Sequence, residues 1–259
     1  MLLSSRRLFI TKLSDGGMRQ LRFYPAADAV SDTDIVNTVA VVADVLRATS
    51  TIVTALYNGC KTVIPVKEID EALAVAAELP SGQYILGGER QGKRIPGFMA
   101  GNSPQDFDRV AVADKIVITT TTNGTRALVN CAAAEKVFVL SFLNLTAIAE
   151  SILKLGNDVS MVAAGIYGDF SLEDSVCCGF LMNELLAQAH GEFELTEEAQ
   201  RIAELARTYK GHADQLLLES PHGQYLCEIG YASDLAICAD INKCPVVAVY
   251  QNGRINIVQ

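Results

Sequence analysis

The sequence predicts an α/β fold: a three-layer α/β/α arrangement with a mostly parallel or mixed sheet and an antiparallel hairpin near the C-terminus. Three observations lead there. Short β-branched runs alternate along the chain with helix-like amphipathic segments, the pattern that lays helices on both faces of a parallel sheet. Those runs are apolar throughout instead of alternating with period two, as strands covered on both faces are. Half of the 259 residues are hydrophobic and 20% are charged, enough apolar material for a large core. No linker rich in Pro, Gly or Ser divides the chain, so residues 1–259 read as a single domain.

Taken in order, residues 1–35 read as an irregular N-terminal extension, with Met18 as an alternative start. Val39–Ala43 is the first strand. A polar break, Asp44-Val45-Leu46-Arg47-Ala48-Thr49-Ser50, follows it and leads into a helical segment through Leu56. Thr62–Val66 and Gln83–Leu86 read as strands on either side of a helix over Ile69–Leu79. Little between Leu86 and Lys115 reads as regular structure, and compact domains rarely keep so long a connection without a use for it. With its glycines and Arg90, Lys93 and Arg94, that stretch reads as a binding loop. Ile116–Ile118 is a strand that enters the run Thr119–Thr125 and a helix from Arg126 to Cys131. Val137–Leu140 is a further strand, and Asn144 is placed to cap a helix over Leu145–Leu155. Val159–Ala164 ends in a break from Gly165 to Asp174 and a helix from Ser175 to Ala189. Thr196–Tyr209 is helical, with Glu197 and Glu198 in its first turn. Pro245–Tyr250 reads as a strand, and Asn252-Gly253 between Val246–Tyr250 and Arg254–Val258 is the hairpin signal. Ligands of such sheets sit beyond the carboxyl ends of the strands, so the three polar breaks are expected to gather there.

A formal charge of −9 argues against nucleic acid and anionic membranes as partners, which select cationic surfaces. No run approaches the roughly 20 apolar residues of a membrane span, and no secretory apolar region follows Arg6 and Arg7. Seven cysteines, an odd number without CxxC spacing, read as reduced thiols of a cytoplasmic protein. The three histidines lack helical metal spacing, which argues against zinc. A chain of this size and apolarity is expected to be a homo-oligomer.

Several motifs carry chemistry. Asp44 leaves a buried strand, where a carboxylate serves as an oxygen ligand for Mg²⁺, and Arg47 can fork onto a phosphate; Thr49 adds a hydroxyl. The same spacing also fits an ordinary helix start capped by Asp44, with Arg47 in solvent. Thr120, Thr121, Thr122, Asn123, Gly124 and Thr125 bring hydroxyls and a turn permissive of positive φ to a helix start, which suits an anion. In Gly87-Gly88-Glu89-Arg90 the glycines allow close backbone approach, beside a charge pair. Glu173 and Asp174 suit either a metal or the dipole of a helix N-terminus. Cys177-Cys178 read as packing residues. His222, in a turn, is placed to protonate a leaving group or to play a surface role.

Together, DVLRATSTI (44–52), the glycine-rich stretch 87–104 with Asn102 and Ser103, TTTTNGTRAL (119–128), FSLEDS (170–175) and SPHG (220–223) resemble the 2-phosphosulfolactate phosphatase family, in order and over most of the chain. The resemblance implies a Mg²⁺-dependent hydrolase that converts (2R)-O-phospho-3-sulfolactate to sulfolactate and phosphate, a step in coenzyme M biosynthesis. On that reading Asp44, Arg47, Glu89, Arg90 and His222 are catalytic, and Asp44 with Glu173 or Asp174 holds the metal. Arg47, Arg90 and the Thr120–Thr125 turn clamp the phosphoryl oxygens, Thr49, Asn102 and Ser103 bind substrate, and Lys93, Arg94 and Arg126 are candidates for the sulfonate and carboxylate. Rival expectations are a phosphatase of another small phosphorylated hydroxy acid, a non-catalytic module for small anions, and thiol redox chemistry.

Overall fold

A computed structural model describes residues 17–258. Its strands are β1 (Arg19–Tyr24), β2 (Val39–Ala43), β3 (Thr62–Pro65), β4 (Tyr84–Arg90), β5 (Lys93–Arg94), β6 (Ile116–Thr120), β7 (Lys136–Leu140), β8 (Val159–Ala163), β9 (Phe193–Leu195), β10 (Ala248–Gln251) and β11 (Arg254–Ile257). The helices are α1 (Asp32–Ile35), α2 (Ala48–Tyr57), α3 (Ile69–Ala77), α4 (Arg109–Val112), α5 (Gly124–Asn130) and α6 (Leu145–Leu153). They continue as α7 (Leu172–Gln188), α8 (Glu197–Thr208), α9 (Ala213–Glu219), α10 (Pro221–Glu228) and α11 (Ala232–Cys238). None is long and apolar enough to cross a membrane.

All the strands join one 11-stranded sheet in the order β5-β4-β6-β3-β11-β10-β7-β2-β8-β1-β9. It contains two parallel blocks. Strands β7, β2, β8, β1 and β9 form one, and β3, β6 and β4 the other. The β10–β11 hairpin sits between them, antiparallel to β7 on one side and to β3 on the other. Three successive antiparallel joints make the second block run opposite to the first. In a flat sheet their carboxyl ends would lie on opposite edges. Open sheets this wide curl, and here the residues that end β2, β4 and β6 line one cavity with the turn after β8. The expected convergence of the polar breaks is present, but in a curled sheet of two opposed blocks.

The strands lie between two apolar layers. Val39, Val41 and Ala43 of β2 enter a core with α6, α7 and α8, including Ile148, Leu181 and Ala203. Ala40 and Val42 point the other way, into a core with α2 and α5 that includes Val53 and Leu128. A third cluster packs Ala72 and Ala76 of α3 on Leu86 and Ile118. Burying both faces of a strand explains its apolar run without alternation.

Three parts differ from the sequence expectation. Residues 19–24, read as irregular, are β1, paired with β8 and β9; residues 1–16 of that extension lie outside the described residues. Leu21 and Phe23, both buried, alternate with Gln20, Arg22 and Tyr24, the period-two pattern of a strand packed on one face, and the polar side chains make specific contacts. Arg19 stacks on Phe193, its Cζ 4.0 Å from the ring centroid, and Arg22 pairs with Asp158 at 2.8 Å. The stretch from Leu86 to Lys115 is partly regular: β4 continues to Arg90, and β5, a 3₁₀ turn at Pro104–Phe107 and α4 follow. Asn144 precedes α6 but makes no cap bond; its Oδ1 accepts from the Ser141 N–H, and its Nδ2 donates to the carbonyls of Val139 and Val246.

Candidate active site

The cavity has a volume of about 430 Å³ and is lined by Asp44, Arg47, Glu89, Asn102, the Thr121–Asn123 turn and His222, with Leu46, Ile166, Tyr167, Pro221 and Tyr225 as its less polar wall. Asp44 is placed by its own neighbours. Its N–H donates to Thr49 Oγ1, the same hydroxyl donates back to its carbonyl at 2.8 Å, and Oδ1 accepts from the Ala48 N–H at 3.1 Å. Burial pushes the Asp44 carboxyl up to about 7; the Ala48 N–H opposes this, Glu89 and Glu173 add to it, and Arg47 opposes it. Burial likewise raises Glu173, and burial with Glu173 and Asp44 raises Asp174 well above the carboxylate range.

Arg47 is 2% exposed, so it is neither solvated nor free. Nη1 donates to Asp234 at 2.7 Å and Nη2 to the Gly92 carbonyl at 2.6 Å, while its Cζ lies 4.1 Å from the Tyr231 ring centroid. Glu89 braces two walls: Oε2 accepts from the Gly92 N–H, and Oε1 from both the N–H and the hydroxyl of Thr122. His222 lies in the first turn of α10, behind the Ser220 cap and Pro221, rather than in a turn. Burial, then Arg47, lowers its pKa below the usual imidazole value, so the ring is neutral at neutral pH. It stacks on Tyr225, whose hydroxyl donates to the Gln91 carbonyl at 3.0 Å.

Among the described residues no group of three or more His, Cys, Asp or Glu side chains is arranged to hold a metal unaided. Mg²⁺ commonly takes one or two carboxylates and completes its shell with water and phosphate oxygens. Asp44 lines the cavity, and Glu173, which does not line it, lies close enough to raise the Asp44 carboxyl and is the second carboxylate on offer. Glu173 is 1% exposed, and its Oε2 is buried without a hydrogen-bond partner, an arrangement that costs free energy unless a cation or proton answers it. Asp174 fits less well, since its Oδ1 accepts from the Val45 N–H at 2.7 Å.

A family model described as 2-phosphosulpholactate phosphatase matches residues 24–253. The chain belongs to the 2-phosphosulfolactate phosphatase family. A probable 2-phosphosulfolactate phosphatase of Symbiobacterium thermophilum is 39% identical over 226 residues, 87% of this chain and 97% of that protein. One of Clostridium acetobutylicum is 39% identical over 233 residues, covering 89% and 97%; one of Caldanaerobacter subterraneus is 35% identical over 239 residues, covering 92% and 98%. Family membership makes the chain a phosphoric monoester hydrolase.

Of the residues that the 2-phosphosulfolactate phosphatase resemblance singles out, several lie off the cavity. Arg90 turns to the Glu89 and Lys67 carbonyls and Thr120 Oγ1. Lys93 and Arg94 are exposed on β5, and Arg126 pairs with Asp28 on the surface. Thr49 is bound to the Asp44 backbone, Thr120 donates to the Lys67 carbonyl, and Ser103 donates to Asp234 at 2.6 Å. Thr125 also lies off the cavity and exchanges hydrogen bonds across the start of α5 with Thr121, which lines it. Gly124 has no positive φ. It is needed for space: a Cβ there would lie 2.6 Å from both Ala48 Cβ and Asp44 Oδ2. Gly87 and Gly88 approach Phe107 and the Thr120 carbonyl, not the cavity. Sequence reasoning missed Asp234, Tyr231, Tyr225, Gln91 and Tyr167. Asp234 sits in YASDLAIC, which carries no signal beyond an acidic residue in a helix's first turn.

Proposed function

We propose that the protein hydrolyses (2R)-O-phospho-3-sulfolactate to 3-sulfolactate and inorganic phosphate, in a Mg²⁺-dependent step of the kind coenzyme M biosynthesis uses. One observation carries the reading: the residues that end β2, β4 and β6 and the turn after β8 close on a single cavity that Asp44 and Arg47 both line. Charge balance supports the metal. The lining holds two carboxylates, Asp44 and Glu89, against one guanidinium that is already paired with Asp234, and a phosphate ester bearing two further acid groups is strongly anionic. Held by Asp44 and Glu173, Mg²⁺ would supply the missing positive charge against a phosphoryl oxygen.

The chain's own groups do the rest, and phosphoryl transfer gains most from positioning and charge. Arg47 offers its uncommitted N–H groups to phosphoryl oxygens. Glu89, by holding Gly92 and Thr122, keeps the opposite wall in register with it. Neutral His222 lines the cavity, its ring stacked on Tyr225 and oriented by the Leu46 carbonyl. Leu46, Ile166 and Pro221 add apolar surface to the cavity's lining. The seven free cysteines, six of them buried, support a reducing, cytoplasmic setting over thiol catalysis, as burial raises the thiols of Cys177 and Cys178 well above their usual range.

Phosphate release from phosphosulfolactate, measured with Mg²⁺ and with EDTA, tests the reading. Release that stops in EDTA and returns with Mg²⁺ is expected, and undiminished release in EDTA removes the metal's role. Faster turnover of another phosphorylated hydroxy acid reassigns the substrate, and saturable binding without release leaves an anion-binding module.

A further inference from the structure

Arg47 is fixed in three independent ways. The ring of Tyr231 sets the plane of the guanidinium, with Cζ 4.1 Å from its centroid. Within that plane Nη1 donates to Asp234 Oδ2 at 2.7 Å and Nη2 donates to the Gly92 carbonyl at 2.6 Å. A guanidinium has five N–H groups, so three remain: one on each Nη and the one on Nε. Arg47 still lines the cavity.

Asp234 is itself held more firmly than a simple counter-charge requires. It is fully buried in the first turn of α11. Its Oδ1 accepts from Ser103 Oγ at 2.6 Å and from Gln105 Nε2 at 2.9 Å, while Oδ2 faces Arg47. Both carboxylate oxygens are thereby tied to the 87–107 stretch and the Asp44–Ser50 turn, elements that share no local sequence with α11. A carboxylate with both oxygens anchored transmits a fixed orientation, whereas one with a free oxygen can rotate with its partner. Planar, two-pronged recognition of a phosphoryl group depends on such orientation.

We propose that Asp234 is a positioning residue for the phosphoryl clamp: it sets the rotation of the Arg47 guanidinium so that the remaining N–H groups stay aimed into the cavity. The proposal rests on the reading of Arg47 as the clamp. Neutralising Asp234 leaves the arginine held by the Gly92 carbonyl and the Tyr231 ring but without the charged partner that sets its rotation, so the loss falls on the chemical step more than on substrate capture.

The test is phosphate release from phosphosulfolactate by the parent, Arg47→Ala, Asp234→Asn and the double variant, with and without millimolar guanidinium. Asp234→Asn is expected to lower kcat at least tenfold with KM changed less than threefold. The double variant should be no worse than Arg47→Ala within threefold, because residues that act through one another do not add. Guanidinium should restore activity to Arg47→Ala but not to the double variant, a difference that a merely structural carboxylate would not produce. Losses that multiply in the double variant, or equal rescue in both, overturn the proposal. An Arg47→Ala variant as active as the parent instead overturns the clamp reading beneath it. Should Asp234→Asn fail to fold, Ser103→Ala loosens Asp234 while keeping its charge; the same non-additivity with Arg47→Ala is expected, and additivity overturns the proposal.

Discussion

Replacing Gly124 with alanine should damage both stability and activity, and the two effects should separate. In most helices Gly→Ala is mildly stabilising, by about 0.4–1 kcal/mol, where the backbone already suits alanine, and Gly124 begins α5 without a positive φ. Here the new Cβ would stand 2.6 Å from Ala48 Cβ and 2.6 Å from Asp44 Oδ2, against ordinary contact that starts at 3.4 Å, so each neighbour must yield by 0.8 Å. Ala48 cannot swing aside, because its Cβ is fixed to the first turn of α2. Asp44 cannot rotate freely either, since Oδ1 is held by the Ala48 N–H. Overpacking of this kind costs about 1–3 kcal/mol, so the net loss is about 1–2 kcal/mol. For a domain of this size that is a fall in Tm of roughly 2–8 °C. A displacement approaching 1 Å at a reacting centre can cost on the order of 100-fold in rate, and Asp44 is the group displaced. Thermal unfolding and phosphate release, measured in parallel, read the two effects. Adding Ala48→Gly removes the overlap with Ala48 but not the one with Asp44, so stability should recover more than kcat/KM. A Gly124→Ala protein with unchanged Tm and full kcat/KM would refute the reasoning.

Two further predictions follow from titration. In metal-free protein Asp44 holds its proton up to about pH 7, whereas its ordinary value is 3.8; between those values the native state binds a proton that the unfolded chain releases, so stability falls as pH rises through that window. Asp44→Asn should therefore be more stable than the parent at pH 8, by up to about 4 kcal/mol from a shift of roughly three units, and the advantage should vanish by pH 4; urea unfolding in EDTA showing an equal advantage at both ends refutes it. Because burial and Arg47 hold His222 neutral, His222→Gln should reduce kcat by about tenfold or less and leave the shape of the pH–rate profile between 6.5 and 8 unchanged. A loss of the alkaline decline in that variant would return His222 to the role of imidazolium acid.

Much of this architecture was legible because burial on two faces leaves a visible mark. β2, β6 and β8 are apolar runs, and the breaks after them do reach one cavity. The direction of charged side chains left no such mark. Arg90, Lys93, Arg94 and Arg126 look in sequence like Arg47, yet only Arg47 lines the cavity, because β5 points its cations to solvent and Asp28 draws Arg126 aside. The partner of Arg47 lies 187 residues away, and no spacing rule links them. Nor does sequence rank Glu173 against Asp174. Neighbours on one helix face different surroundings, and here the Val45 N–H meets Asp174 while Oε2 of Glu173 is left without a donor.

The β10–β11 hairpin also has a bearing on how the chain comes together in time. It begins at Ala248, yet it occupies the middle of the sheet and is the seam between two blocks that run in opposite senses. Every residue of the cavity is therefore synthesised before the piece that joins the halves exists. Until then each block presents an unpaired edge, at β7 and at β3, of the kind that invites pairing with another chain. Synthesis leaves the two blocks unsewn until the hairpin is made, and that interval is when the chain is most open to aggregation.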